Sequence, residues 1–229
     1  MTSKNFFYFS LLMLSFCSFL AAQSGAVHRR MAVEQPQQRA AAADAGLSNP
    51  WPEPIAAEGM LPLAIGLIPP LQMPAETWDI TGIRLNLLAG KHNNVAVIDI
   101  GTLANLSTGE VKGIEVAGIW NQVNQDFMGL QIGGIANRVC GDSTGLQIAG
   151  IANYNGAGET IGLQIAPINV NQGDSTAMQI GIYNQAETMN GVQIGIFNIA
   201  ANFNGMQLGL CNLIKNSPFP FMVIFNFGF

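Results

Sequence analysis

From about residue 97 to residue 212, apolar and polar positions alternate with a period of two, the signature of strands with one buried face, and no helical spacing competes. The clearest stretch is Gly191-Val192-Gln193-Ile194-Gly195-Ile196-Phe197-Asn198. Its pattern of Gly, apolar, Gln, apolar, Gly, apolar and a closing Asn returns at Gly129 to Asn137, Gly145 to Asn153, Gly162 to Asn169, Ala177 to Asn184 and Gly205 to Asn212. Looser copies run from Val97 to Asn105 and from Gly113 to Asn121. Self-similarity of this kind predicts a repeat architecture in which each unit is a short piece of sheet that stacks on the next.

Two polar columns follow from the repeat. The closing residues Asn121, Asn137, Asn153, Asn169, Asn184, Asn198 and Asn212 share the parity of the isoleucines, which are expected to face the core. These asparagines should therefore point inward, each finding its partners in the next copy. The glutamines Gln131, Gln147, Gln164, Gln179, Gln193 and Gln207, with Asp99 and Glu115 at the early end, have the opposite parity and are expected to form a second ladder on the outer face. Ladders of identical amides require segments that lie parallel and in register.

The expected fold is therefore all-β, a parallel β-solenoid or β-roll of 14–16-residue repeats. The alternative is an antiparallel outer-membrane barrel of ten strands, suggested by Phe219, Phe221, Phe225, Phe227 and Phe229, aromatics at alternate positions broken only by Val223. Against the barrel, its strands need about 9 to 11 residues and aromatic girdles at both interfaces. Its successive turns also lie on opposite sides of a membrane and have no reason to be alike, yet here they are alike.

The rest of the chain divides around the array. Residues 1–26 read as a secretory signal, with Lys4, an apolar run from Phe6 to Leu20 and small residues after it. Residues 27–60 are a linker rich in Ala, Gln and Pro. Residues 61–96 are expected to form an atypical capping repeat that covers the start of the array at 97–217, and 218–229 a Phe-rich closing strand or cap.

Here a resemblance becomes specific. Ile68-Pro69-Pro70-Leu71-Gln72, Trp78-Asp79-Ile80, Gly82 to Leu88, Gly90-Lys91 and Asp99-Ile100-Gly101, followed by Gly-Leu-Gln-Ile-Gly repeats and a Phe-rich end, resemble the bacterial surface repeat proteins first described in leptospires. The resemblance covers roughly residues 61–229 and implies a protein exported to the cell surface or outer membrane of a Gram-negative-type bacterium, with no catalytic residues to carry over. Ile194-Gly195, Asn198 and Ala200 are also similar to the head repeat of trimeric autotransporter adhesins. Both likenesses imply a structural or adhesive role, with a small membrane channel or anchor as the counterpart of the barrel fold.

Chemistry has few footholds. A net charge of −5 without a basic patch gives no reason to expect nucleic acid. One acid precedes most repeats, at Glu110, Asp126, Asp142, Glu159 and Asp174, and would form a column at about 4.8 Å spacing. As a cation edge it is weak, because calcium takes roughly six to eight oxygens and each turn offers one carboxylate. The histidines are His28, in the linker, and His92, expected in a turn beside Asn93-Asn94. Cys140 and Cys211 fall several coils apart, too far for a disulfide. The sequence thus reads as non-enzymatic, without cofactor or metal. The partners open to it are an envelope contact through the Phe-rich C-terminus, a surface ligand its residues do not identify, and other copies of itself.

Overall fold

A computed structural model describes residues 59–69 and 71–229. The signal at 1–26 and nearly all of the linker at 27–60 lie outside the described residues. The described chain is a parallel β-solenoid of about nine turns, not a barrel, with no helix among the described residues.

Strand β1 (Met60–Ile68) and the short β2 (Leu71–Met73) open the sheet, and Pro69, which follows β1, cannot donate to a ladder. Each coil then supplies a long strand and a short one. These are β3 (Asp79–Asn86) with β4 (Ala89–His92), β5 (Val95–Gly101) with β6 (Ala104–Ser107), β7 (Val111–Ala117) with β8 (Trp120–Val123), β9 (Phe127–Gly133) with β10 (Ala136–Val139), and β11 (Ser143–Ala149) with β12 (Ala152–Asn155). After β13 (Thr160–Ile165) the coils tighten and some corners pair through. As a result β14 (Ile168–Ile180) and β15 (Tyr183–Ile194) each join a short strand to the next long one, and β16 (Phe197–Ile214) runs through a further short strand. β17 (Phe221–Gly228) returns antiparallel along β16 at the C-terminal end of the stack.

Regular stacking starts earlier than 97: β3 already pairs in parallel with both β1 and β5, so the coil from Asp79 to Asn94 belongs to the array. Along the stack, like meets like. Gln131, Gln147, Gln164, Gln179, Gln193 and Gln207 are successive register partners, and so are Asn105 through Asn198.

The expected parity is corrected by the structure. The glutamines face inward and are fully buried, whereas the residues on either side of them, such as Leu130 and Ile132 or Val192 and Ile194, face outward. The strand does not run straight to the asparagine. A corner at Gly195-Ile196 ends the long strand, the isoleucine stays on the outside, and Asn198 points inward from the short strand. An amide interior is stable here because each inner rung is hydrogen-bonded to the coils before and after it, and unpartnered ladder oxygens are confined to the end rungs Asn86 and Gln207.

One glycine column is required by this stacking. At Gly129, Gly145 and Gly162 the backbone has φ between +131° and +142°, a region disfavoured for side chains. A Cβ at Gly145 would also lie 2.0 Å from the carbonyl oxygen of Gly129 one coil before. Apolar packing fills the two ends of the interior. Ile80, Val95, Val111, Val123, Phe127 and Val139 form one cluster, and Met189, Ala200, Phe203 and Ile214 are in the other. Between them the same positions carry Ser143, Asn155, Thr160, Asn171 and Ser175, all buried.

Candidate functional site

Four features can be built from these coils. They are the amide ladders, a buried charged group at the N-terminal end of the glutamine column, the acidic edge and the outer surface.

In the asparagine ladder, Asn137 Nδ2 donates to Asn153 Oδ1 at 2.9 Å and to the Ile148 carbonyl at 2.8 Å. Asn121, Asn169, Asn184 and Asn198 repeat that pair of bonds, toward the following coil each time. Asn212 ends the ladder on the Gly209 carbonyl. Asn86 starts it, donating to Asn105 Oδ1 at 2.9 Å, and it reaches that place because Gly90 has no side chain there. The glutamine ladder runs the other way: Gln147, Gln164, Gln179, Gln193 and Gln207 each donate Nε2 to the Oε1 of the coil before. The two rows of amide dipoles therefore oppose one another along the rod.

The glutamine donors all point toward the N-terminal end, and there the column changes to carboxyls. Gln131 Nε2 donates to Glu115 Oε2 at 2.7 Å, Asp99 lies in the next coil back, and Arg84 in the one before that. Arg84 Nε donates to Asp99 Oδ1 at 2.7 Å, and a second donation, from Nη2 to Oδ2, makes the pair bidentate. The arginine also reaches the Leu106 carbonyl and His92 Nδ1, both at 3.2 Å. Arg84, His92, Asp99 and Glu115 are all at 0% exposure, so no solvent path to them is open. Burial, then the negative charge of Asp99, pushes the Glu115 carboxyl up to about 8, and a hydrogen bond from the protonated Glu115 to Asp99 acts in the same direction. Burial and Arg84 pull His92 down to about 4. At neutral pH the group therefore carries one ion pair, a neutral carboxylic acid and a neutral imidazole.

His92 was expected in a turn and instead ends β4 inside the stack, held by Arg84 from within. The early members of the glutamine column pointed to Asp99 and Glu115, and one further step of 15 residues back reaches Arg84. Its bonds to His92 and Ser107, on the short strands, could not be read before the register was known.

The acids line one edge as a column. Asp126 Oδ1 accepts the Asp142 N–H at 2.8 Å, and Asp142 Oδ1 accepts the Glu159 N–H at 2.8 Å. Glu110 pairs with Lys112, and Asp174 stands exposed in register with Thr188. One carboxylate oxygen of Asp126 and one of Asp142 are thus already engaged by backbone. Among the described residues no three His, Cys, Asp or Glu side chains approach closely enough to hold a metal ion. Cys140 and Cys211 are both free thiols.

A cavity of about 670 Å³ opens at the C-terminal end, lined among others by Met189, Phe203, Ile214, Asn216, Phe219 and Phe229, with no charged side chain in its wall. It can accommodate an apolar group but offers no acid or base. Compared with protein-family models, curated proteins and solved structures, the chain matches none.

Proposed function

We propose that this chain is a non-enzymatic structural or adhesive rod, exported and displayed at the outer membrane or surface of a Gram-negative-type bacterium. The observation that carries this reading is the stack itself. About nine coils are tied by an asparagine ladder and by a second column of glutamines that ends in Glu115, Asp99 and Arg84, and they present the same outward positions over and over at about 4.8 Å intervals. Such a body is suited to holding a periodic surface at a fixed distance. The ionisable group at Arg84, Asp99 and Glu115 is sealed inside and ties coils together, which favours a structural role for it over chemistry on a substrate. The apolar run before residue 26 and the resemblance of residues 61–229 to surface repeat proteins support the location.

The test is accessibility on intact cells. A full-length chain with Cys17, Cys140 and Cys211 replaced by Ser and Asp142→Cys on the exposed edge is produced in a Gram-negative-type host. A membrane-impermeant maleimide should label it without lysis and should leave a cytoplasmic control protein unlabelled. Labelling only after lysis overturns the reading.

A further inference from the structure

The inward turn of the glutamines leaves an apolar surface to be explained. Three outward columns run along the long-strand side of the solenoid. The first is Leu63, Ile83, Ile98, Ile114, Leu130, Leu146 and onward to Met206, and the second runs from Ile65, Leu85 and Ile100 through Ile132 and Ile148 to Leu208. The third lies at the corners, where Leu103, Ile119, Ile135, Ile151, Ile182, Ile196 and Leu210 are all exposed. No charged or polar residue interrupts any of the three, the third having Pro167 at its one non-aliphatic step. β17 extends the face by another strand, since Phe227 is in register with Met206 and Phe225 with Leu208. The opposite side, the outward face of the short strands, is mixed: Gln122, Arg138, Tyr154 and Gln185 stand there, with the Arg138 guanidinium over the Tyr154 ring.

The face spans eleven strands from β1 to β17, so it is roughly 48 Å long, and its three columns make it roughly 15 Å wide. That is roughly 700 Å², beyond what a soluble monomer usually leaves open and close to the roughly 800 Å² each partner contributes to a standard interface. It is flat, and its side-chain ridges recur at the strand spacing. The occupant that fits has its own ridges at that spacing over the same length, and packs face to face at about 10 Å. A membrane surface fits poorly. Anionic headgroups would meet the acidic edge, and Lys112 is the one cation in the column that borders the face on that side.

We propose that the chain pairs with a second copy of itself through this face, about a two-fold axis parallel to the rod. The acidic edge selects that axis. A two-fold across the rod would set both columns of Asp126, Asp142 and Glu159 on one side of the dimer, about 10 Å apart. A two-fold along the rod puts them on opposite sides and leaves each coil facing its own equivalent. The second column, nearest the midline, then meets itself at every level.

The experiment uses the full-length chain in detergent-free buffer. Sedimentation equilibrium should give a dimer. Ile132→Glu with Ile148→Glu should raise the dissociation constant by on the order of 100-fold, while Gln122→Glu on the opposite face should leave it unchanged. Both substituted sites face solvent in the monomer, and circular dichroism with a cooperative melt confirms that the variants fold. In a background with Cys17, Cys140 and Cys211 replaced by Ser, Ile100→Cys and Ile194→Cys, placed separately, should each be linked into dimers by a bis-maleimide that spans the roughly 10 Å between packed sheets. A dimer that survives the Glu substitutions is held elsewhere and overturns the proposal. So does a monomer, whether it stays free or floats with vesicles of neutral phosphatidylcholine. Cross-linking that occurs only when the Ile100→Cys and Ile194→Cys chains are mixed overturns the axis, because a two-fold across the middle of the face would set those two levels against each other. None of these outcomes depends on whether the chain is exported.

Discussion

Glu115 sits where a column of amides meets a column of charges, and its proton makes folding depend on pH. An unfolded glutamate loses its proton near 4.5, whereas in the stack burial and the Asp99 charge hold it to about 8. Between those values the folded chain keeps a proton that the unfolded chain has released, so stability falls as pH rises across that interval and levels off above it. His92 acts in the opposite sense lower down. Burial and Arg84 take it from 6.5 to about 4, so its contribution is lost as pH falls through that range. From pH 6.5 to 8 only the Glu115 effect of these two remains. Urea unfolding over that range should show the native chain losing about 2 kcal/mol, the cost of holding one proton over that interval. Glu115→Gln should abolish the slope and be the more stable chain at pH 8, because a Gln there continues the ladder, accepting from Gln131 and donating toward Asp99. Equal slopes in the two chains would show that Glu115 is already ionised at pH 6.5.

A strand in this fold is held by what lies above and below it, and the asparagine ladder is where that shows. Asn153 accepts from Asn137, and its Nδ2 donates to Asn169 Oδ1 at 3.0 Å and to the Ile165 carbonyl at 3.3 Å. Asn153→Ala would leave these partners, and the Gln147 carbonyl that Asn153 Nδ2 also reaches at 3.2 Å, short of a bond in a buried place, at a cost of about 3–5 kcal/mol. Asn212→Ala, at the end of the ladder, removes only the bond accepted from Asn198 and the donation to Gly209, and should cost clearly less in the same denaturant series. Equal costs would mean that the rungs do not act as a continuous ladder. The ladder itself was legible in the sequence, because closing asparagines at a near-constant interval can only stack. Which face looks inward was not legible. A period of two is satisfied by either parity, and choosing the isoleucines follows the usual rule that apolar side chains are buried. That rule yields here because Gln131 through Gln207 satisfy one another along the stack, a benefit that appears only once neighbouring coils are in register. The corner at Gly195-Ile196 hid the change, since it lets Asn198 turn inward without sharing a strand with Gln193.

At the scale of the whole array, the architecture makes a statement about distance that neither a barrel nor a collapsed sheet can imitate. Glu110, Asp126, Asp142, Glu159 and Asp174 occupy one edge at successive levels, and Asn202 and Asn216 continue it, joined by an Asn216 to Asn202 side-chain hydrogen bond of 2.8 Å. Separation along that edge must therefore grow linearly with coil number, by about 4.8 Å per coil. In a background lacking Cys17, Cys140 and Cys211, spin labels at Glu110 and Asp174 should lie about 19 Å apart, four coils along, and labels at Glu110 and Asn216 about 34 Å, seven coils along. A barrel would instead alternate long and short separations, because successive turns would lie on opposite rims. Labels diluted with unlabelled chain report this intramolecular ruler alone. Undiluted labels at Asp142 add a test of the pairing, because a two-fold along the rod sets the two acidic edges of a dimer on opposite sides. The intermolecular distance at that position should then exceed the roughly 10 Å that separates two packed sheets. A ruler that fails to lengthen from Asp174 to Asn216 would remove the rod, and with it the periodic apolar face on which both display and self-pairing rest.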